Sequence, residues 1–317
     1  MSAAAPPTVL IFGATGGVGS ATARAAQSLG AKVVLAVRDL QKPIPGLGAD
    51  EEKTGGFERV QADFTNPDSI EDAVRTSVAK HAFVYFIHGS KDAMRPSLEA
   101  LKAAGIEFVV FLSSASVRGD LTKIPPAEFI PFMHAQVELA LRDIFGVEGY
   151  VAVRPAYFNT NSRWWASMIR EGEVRMVYPE HKLDWISPKD IGKVAGQVLV
   201  KGIAATEGLE SRNSIFLMGP KFITQRDAAK IIGRAAGKDV KVTEIDEDEG
   251  AALMAKNGVP EPVARKLVQK TGQRFRGEIN DMYDDKTYKE AVVNLNKFTG
   301  NPSSLEEWAE ENKSMFS

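Results

Sequence analysis

Residues 13–19 read Gly13-Ala14-Thr15-Gly16-Gly17-Val18-Gly19, directly behind the apolar run Val9-Leu10-Ile11-Phe12. That order predicts a strand, a glycine turn and a helix start, and the chemistry of such a turn is anion binding. Gly13 makes the tight turn, Gly16 lets a pyrophosphate approach the backbone, and Gly19 lets the helix pack on the sheet. Gly17 continues the run, while Thr15 and Val18 present backbone N–H groups at the positive end of the helix dipole. Arg38 stands nineteen positions after Gly19. A dinucleotide site for NAD carries an acidic residue about there, to hold ribose hydroxyls. A guanidinium suits a 2′-phosphate instead, so the expected cofactor is NADP(H). The competing reading is a surface pair between Arg38 and Asp39.

Further candidates follow the next strands. Asp63 could accept from an adenine amino group, with Phe64 beside the ring; the alternative for Asp63 is a turn residue that caps its own backbone. Ile87 and His88 follow the fourth strand, where a chain passes beneath the cofactor ribose. His88 is read as lining the cofactor or substrate site, the alternative being an incidental loop histidine.

Composition narrows the chemistry. The chain has no cysteine, which excludes disulfides, thiolate metal sites and cysteine nucleophiles. His81, His88, His134 and His181 form no ligand-spaced pair, so no metal is expected. A net charge of −2 argues against nucleic acid as a partner. No apolar run approaches the ~20 residues of a bilayer span, so no membrane partner is expected. The start, Met1 to Pro7, has no basic or long apolar region and reads as a frayed tail; the expected location is cytoplasmic.

These residues need a scaffold. At 317 residues and 44% hydrophobic, the chain can bury a large core. Strand-like runs at 8–13, 32–37, 57–61, 82–88, 107–113 and 149–154 alternate with helical patterns at about 18–29, 67–79, 92–104 and 132–145. Runs such as Phe108-Val109-Val110-Phe111-Leu112 are apolar on both faces. The fold class is therefore α/β, a doubly wound parallel (Rossmann) sheet with its crevice at the strand carboxyl ends. Pro43 to Gly56 reads as a surface loop, and residues 156–183 show no strand–helix alternation. Asp184 to Val200 reads as strand then helix, starting near Ser187-Pro188-Lys189-Asp190, and Ser214 to Met218 as one more strand. Residues 220–297 read as helical and polar. The expected division is a cofactor domain over 1–155, completed by about 184–218. A smaller discontinuous α+β substrate domain takes 156–183 and 219–317.

The chain resembles the NmrA-like family of atypical short-chain dehydrogenase/reductases. The pieces, in order, are Gly13-x-x-Gly16-x-x-Gly19, Arg38, Asp63, Ser113-Ser114 and His134-x-x-x-Glu138-x-x-Leu141. Arg154-Pro155-Ala156-Tyr157-Phe158-Asn159 and Asp190-Ile191-Gly192 follow, then Phe298-Thr299-Gly300 before Ser304-Leu305-Glu306-Glu307-Trp308. The resemblance implies a Rossmann domain for NADP(H) and a smaller domain closing over the nicotinamide. It implies either a reductase of quinones and phenolic metabolites, including tailoring enzymes of fungal secondary metabolism, or a nicotinamide sensor that docks on a protein partner. The wider superfamily uses a Tyr-x-x-x-Lys pair as proton donor and helper. Here Ile130 occupies the tyrosine position and His134 the lysine position, and isoleucine transfers no proton.

Candidate chemistry then rests on what remains. Ser114 matches the superfamily serine and could polarise a substrate oxygen, or simply cap the strand end. Ser113 precedes it at the cofactor. His134 could contact the ribose or relay a proton, with Glu138 one helical turn on to orient it. Tyr157 is a candidate acid or a packing partner for the nicotinamide, with Phe158 beside it. Asn159, Trp164, Trp165, Tyr178 and Trp185 are candidate substrate contacts for a flat small molecule, with interdomain core as the alternative for the aromatics. The leading expectation is an NADPH-dependent oxidoreductase acting on a bulky aromatic or alkaloid-like C=O, C=N or C=C. The alternatives are a redox sensor without turnover and a cofactor-bound catalyst of condensation or cyclisation.

Overall fold

Segments with no polar face become the inner strands of a parallel sheet, because helices must cover both sides. The computed structural model describes residues 6–44, 46–280 and 282–317, so most of the expected frayed start lies outside the described residues. The chain first forms β1 (Thr8–Phe12), α1 (Gly17–Ser28), β2 (Lys32–Val37), α2 (Ala49–Thr54), β3 (Glu58–Gln61) and α3 (Pro67–Ser77). β4 (His81–Tyr85), α4 (Arg95–Ala103), β5 (Phe108–Leu112), α5 (Phe129–Phe145) and β6 (Tyr150–Pro155) follow. Next come a 3-10 helix at Asn159–Trp165, α6 (Ala166–Glu171), β7 (Glu173–Met176), β8 (Lys182–Leu183), α7 (Pro188–Lys201) and β9 (Ser214–Leu217). The remainder forms β10 (Ile223–Thr224), α8 (Gln225–Ala235), β11 (Lys241–Glu244), α9 (Glu247–Lys256), α10 (Glu261–Phe275), α11 (Asp285–Thr299) and α12 (Leu305–Glu311).

The main sheet runs β3-β2-β1-β4-β5-β6-β9, and every neighbouring pair is parallel. This is the doubly wound Rossmann-type fold. Strand order reverses between β1 and β4, which makes their carboxyl ends the switch point where such sheets take ligands.

Two units divide the chain. Unit 1 comprises Met1–Pro155, Pro188–Leu217 and Glu290–Asn301; unit 2 comprises Ala156–Ser187, Met218–Lys289 and Pro302–Ser317. Unit 1 holds the sheet, and its core gathers Leu10, Phe12, Phe83 and Phe111, none more than 2% exposed. Within it α7 lies against α1 closely enough that a Cβ at Gly192 would fall 2.3 Å from the Ala21 Cβ, and one at Gly196 would fall 2.6 Å from the Ala25 Cβ. Only glycine opposite alanine permits that approach. Unit 2 packs Trp165, Ile169, Trp185, Ile232 and Trp308 into its own core, flanked by the small sheets β8/β10 and β7/β11.

Three local expectations change. The Pro43–Gly56 stretch contains helix α2, because Asp50, Glu51 and Glu52 in its first turn complement the helix dipole. Residues 156–183 do alternate. Gly172, at φ +85°, ends α6 and launches β7, which pairs with the distant β11. The strand expected after Asp184 instead falls at Lys182–Leu183 and pairs antiparallel with β10, outside the main sheet. Such partners lie far along the chain and leave no local pattern.

Candidate functional site

A cleft of about 450 Å³ opens at the carboxyl ends of β1 to β4. Its walls are Phe12, Gly13 and Thr15 after β1, Ala36 to Asp39 with Lys42 after β2, Ala62 to Thr65 after β3, and Tyr85 to His88 after β4. Gly13 sits at φ +72°, and a Cβ there would come within 2.7 Å of the Tyr85 ring. The Gly16 N–H donates to the Gly13 carbonyl at 2.9 Å. A Cβ at Gly19 would lie 2.2 Å from that same carbonyl oxygen, so the turn and the helix touch backbone to backbone. Gly17 is hemmed by Pro188, whose Cβ would lie 3.4 Å from an added methyl. α1 begins at Gly16 without a side-chain cap and with no acidic residue in its first turn. Its leading N–H groups, Val18 among them, thus present an uncompensated positive end suited to a pyrophosphate.

Arg38 and Lys42 are both exposed and both line the cleft. Arg38 makes no ion pair with Asp39, whose carboxylate instead accepts from the Gln41 N–H at 2.9 Å. Asp63 accepts from the Thr65 N–H at 2.9 Å and its hydroxyl at 2.8 Å, which holds the carboxyl below its usual pKa. That is the self-capping turn weighed against adenine contact, although Asp63 stays on the cleft wall. Phe64 is buried edge-on against Phe12 at 4.6 Å and serves the core as well as the wall. Lys42, Tyr85 and Phe86 were not anticipated. Lys42 had a visible signal, a second cation four residues after Arg38; the two aromatic residues had none.

His88 and His134 converge on Phe86, with ring centroids 5.2 and 4.9 Å away. The His134 Nδ1 lies 2.9 Å from the Ile130 carbonyl. A carbonyl only accepts, so Nδ1 carries the hydrogen and Nε2 keeps its lone pair. Burial pushes the His134 pKa below the ordinary value, which keeps the ring neutral near pH 7. The ring is therefore no cationic substitute for a lysine. Ile130 is 44% exposed in the first turn of α5.

Glu138 does not hydrogen-bond His134. Its carboxylate, 1% exposed, accepts from the Ser113 hydroxyl at 2.6 Å and from Arg154 Nε and Nη2 at 3.0 and 2.5 Å. Arg154 in turn stacks its guanidinium over the Phe216 ring at 5.2 Å. A buried guanidinium is a stronger claimant on that carboxylate than a neutral imidazole. Ser113 is thus tied into a strand–helix brace, and Ser114 Oγ lies 2.9 Å from Ser116 Oγ in a local turn.

In unit 2, Asp184 is wholly buried. It accepts from the Tyr157 and Gly219 N–H groups, each at 2.9 Å, and from the Tyr283 hydroxyl at 2.8 Å. Burial still pushes its carboxyl up to about 6. The Tyr157 ring meets Trp185 edge-on at 5.0 Å, and burial drives its hydroxyl far above the usual tyrosine range, which weakens it as an acid. Phe158 bridges to Ile186. Trp165 and Trp185 are core residues of unit 2, and the Trp185 indole donates to the Ile223 carbonyl at 3.0 Å. Trp164 is 39% exposed. Tyr178, at φ +50°, donates its hydroxyl to Glu247 and accepts from Arg276 at 3.1 Å.

Two buried side chains in the same stretch have polar atoms with no protein partner: both amide atoms of Asn159, and Nε2 of His181. Burial and the nearby Arg274 cation push His181 down to about 4. Among the described residues no group of three His, Asp or Glu side chains is placed to hold a metal, and no helix is long and apolar enough to cross a membrane.

Known proteins carry the same architecture. The chain is 37% identical over 307 residues to the nitrogen metabolite regulation-like protein bik4 of Gibberella fujikuroi, covering 92% of each chain. It is 29% identical over 318 residues to (4-alkanoyl-5-oxo-2,5-dihydrofuran-3-yl)methyl phosphate reductase of Streptomyces griseus, covering 97% of this chain and 99% of that one. The NADPH-dependent quinone oxidoreductase QOR2 of Escherichia coli, solved with NADPH, superposes with a TM-score of 0.71 at 20% identity, over 96% of this chain and 99% of that one. The profile of the NmrA-like family matches residues 6–309. The chain belongs to the NmrA-like family.

Proposed function

We propose that the protein is an NADPH-dependent reductase whose acceptor stabilises its own reduced form. One observation carries the cofactor assignment: an uncapped glycine turn and two exposed cations, Arg38 and Lys42, share one cleft. The turn suits the pyrophosphate and the cations suit a 2′-phosphate. His134, whose neutral Nε2 keeps its lone pair, is our candidate acceptor for a ribose hydroxyl. Bound NADPH supplies a hydride.

The proposed substrate class rests on three side chains that are poor proton donors here. Ile130 cannot donate a proton, Ser113 is committed to Glu138, and the Tyr157 hydroxyl is a poor acid. An isolated ketone needs such a donor as charge builds on oxygen. A quinone, a conjugated enone or an iminium ion does not, since the added electrons are delocalised or cancel a positive charge. Water then protonates the product where a proton is needed. The name of the Streptomyces griseus relative supports a reductase. The test is NADPH oxidation across a panel of quinones, enones, iminium ions and simple ketones. Activity on the first three classes and none on simple ketones is expected; ketone-only turnover overturns the reading.

Isoleucine at position 130, in place of the superfamily tyrosine, also favours a second reading, a redox sensor that binds without turnover. It predicts unequal affinities for NADP⁺ and NADPH and silence across the panel. For either reading Arg38→Ala should weaken NADPH binding about tenfold and leave NADH within about twofold.

A further inference from the structure

β3 is a short edge strand, yet its side chains reach the loop that carries Arg38 and Lys42. Arg59 and Gln61 stand two apart and so share a face. The Gln61 amide donates to the Arg38 carbonyl at 3.1 Å. Arg59 Nη1 donates to the Leu40 carbonyl at 2.5 Å and the Lys42 carbonyl at 2.9 Å. Every second carbonyl of the loop is thus tied to β3. The rest of the Arg59 fork is held from the other side, where Nε and Nη2 donate to the two carboxylate oxygens of Glu52 at 2.5 and 2.8 Å. Glu52 comes from α2, the helix inside the stretch expected to be loop.

The loop has little of its own to hold it. Inside it the Gln41 N–H meets the Asp39 carboxylate at 2.9 Å and the Lys42 N–H meets the Asp39 carbonyl at 3.2 Å. Exposed cations on a loose loop bind weakly, because ordering the backbone opposes binding. A guanidinium that bridges two carbonyls and a carboxylate removes that penalty in advance. The planar five-donor geometry is needed; an ammonium cannot span the same acceptors.

We propose that Arg59, gripped by Glu52, is a positioning residue that sets the 38–42 loop and thereby the discrimination between 2′-phosphorylated and unphosphorylated dinucleotides. This rests on the reading of Arg38 and Lys42 as the phosphate partners. The experiment titrates NADPH and NADH, followed by fluorescence, into the full chain and into Arg59→Met, Arg59→Lys, Glu52→Gln and Arg38→Ala. Arg59→Met should weaken NADPH about fivefold, leave NADH within about twofold, and raise hydrogen exchange at residues 39–42 in the cofactor-free protein. Glu52→Gln should give a smaller loss of the same kind. Parallel loss of both cofactors, or no loss of either, overturns the clamp. If Arg38→Ala leaves the NADPH-to-NADH ratio unchanged, the phosphate assignment itself is wrong. If Arg38→Ala shifts that ratio and Arg59→Met does not, only the clamp is wrong. Should Arg59→Met lack a cooperative thermal transition, Arg59→Lys decides: a selective NADPH loss supports the clamp and an unchanged ratio overturns it.

Discussion

The two units differ in how completely they satisfy buried polarity: unit 2 engages Asp184 fully but not every buried polar group. In unit 1 the deepest charges are fully engaged: Glu138 is held by Ser113 and Arg154, and Arg154 also stacks on Phe216. In unit 2, Asn159 and His181 keep buried polar atoms without a protein partner. An unpaired buried donor or acceptor destabilises by about 1–3 kcal/mol, and a paired one does not. On the proposed reading, in which backbone, glycines and surface cations recognise the cofactor, the interior of unit 1 can be saturated. Unit 2 retains unsatisfied groups in the stretch that follows β6, at Asn159 and His181.

That contrast can be broken experimentally, and the largest effect should come from unit 1. Glu138→Ala leaves Arg154 buried without its partner and should lower stability by about 3–5 kcal/mol in chemical denaturation. A loss below about 1 kcal/mol would mean the brace is solvated and the contrast unreal. A middle-sized effect is expected from pH. The His181 imidazole should accept a proton near its ordinary pKa of 6.5 in the unfolded chain but only near about 4 in the folded one. Its contribution to stability is therefore whole above about 6.5 and lost as the pH falls through about 4. His181→Phe should gain on the natural protein by about 1–3 kcal/mol between those limits, measured by denaturation at each pH. Parallel curves would show that the ring is not desolvated. The smallest effect has the most telling sign. Asn159→Leu removes an unpartnered amide and should raise stability by about 1 kcal/mol while lowering turnover or ligand affinity. A loss of stability would show that the amide is structurally employed.

Much of unit 1 was legible in the chain because its determinants are local. Runs such as Val9-Leu10-Ile11-Phe12 and Phe108–Leu112 advertise buried parallel strands, and Gly13 advertises its own left-handed turn. Arg38 was found by spacing from the glycines. What stayed hidden depends on partners far along the chain. Glu138 sits one helical turn from His134, yet its ligand is Arg154, on the next strand. Trp165 and Trp185 look like a binding wall in sequence and are largely core. β7 finds β11 across some seventy residues, and nothing near Glu173 announces it. Arg59 looks like an ordinary edge-strand cation until the carbonyls of residues 40 and 42 are seen beneath it.

The close seat of α7 on α1 has a consequence for how the chain is made. Gly192 and Gly196 belong to a helix that emerges only after residues 156–187 have been synthesised, yet they back the helix that begins the phosphate turn. The first 155 residues therefore leave the ribosome with the glycine turn written but its support still missing. Closing that distant contact is slow compared with forming the local strand–helix pairs. A truncated product ending after β6 should expose the small-residue face of α1, and nucleotide binding becomes a late event in the life of the nascent chain.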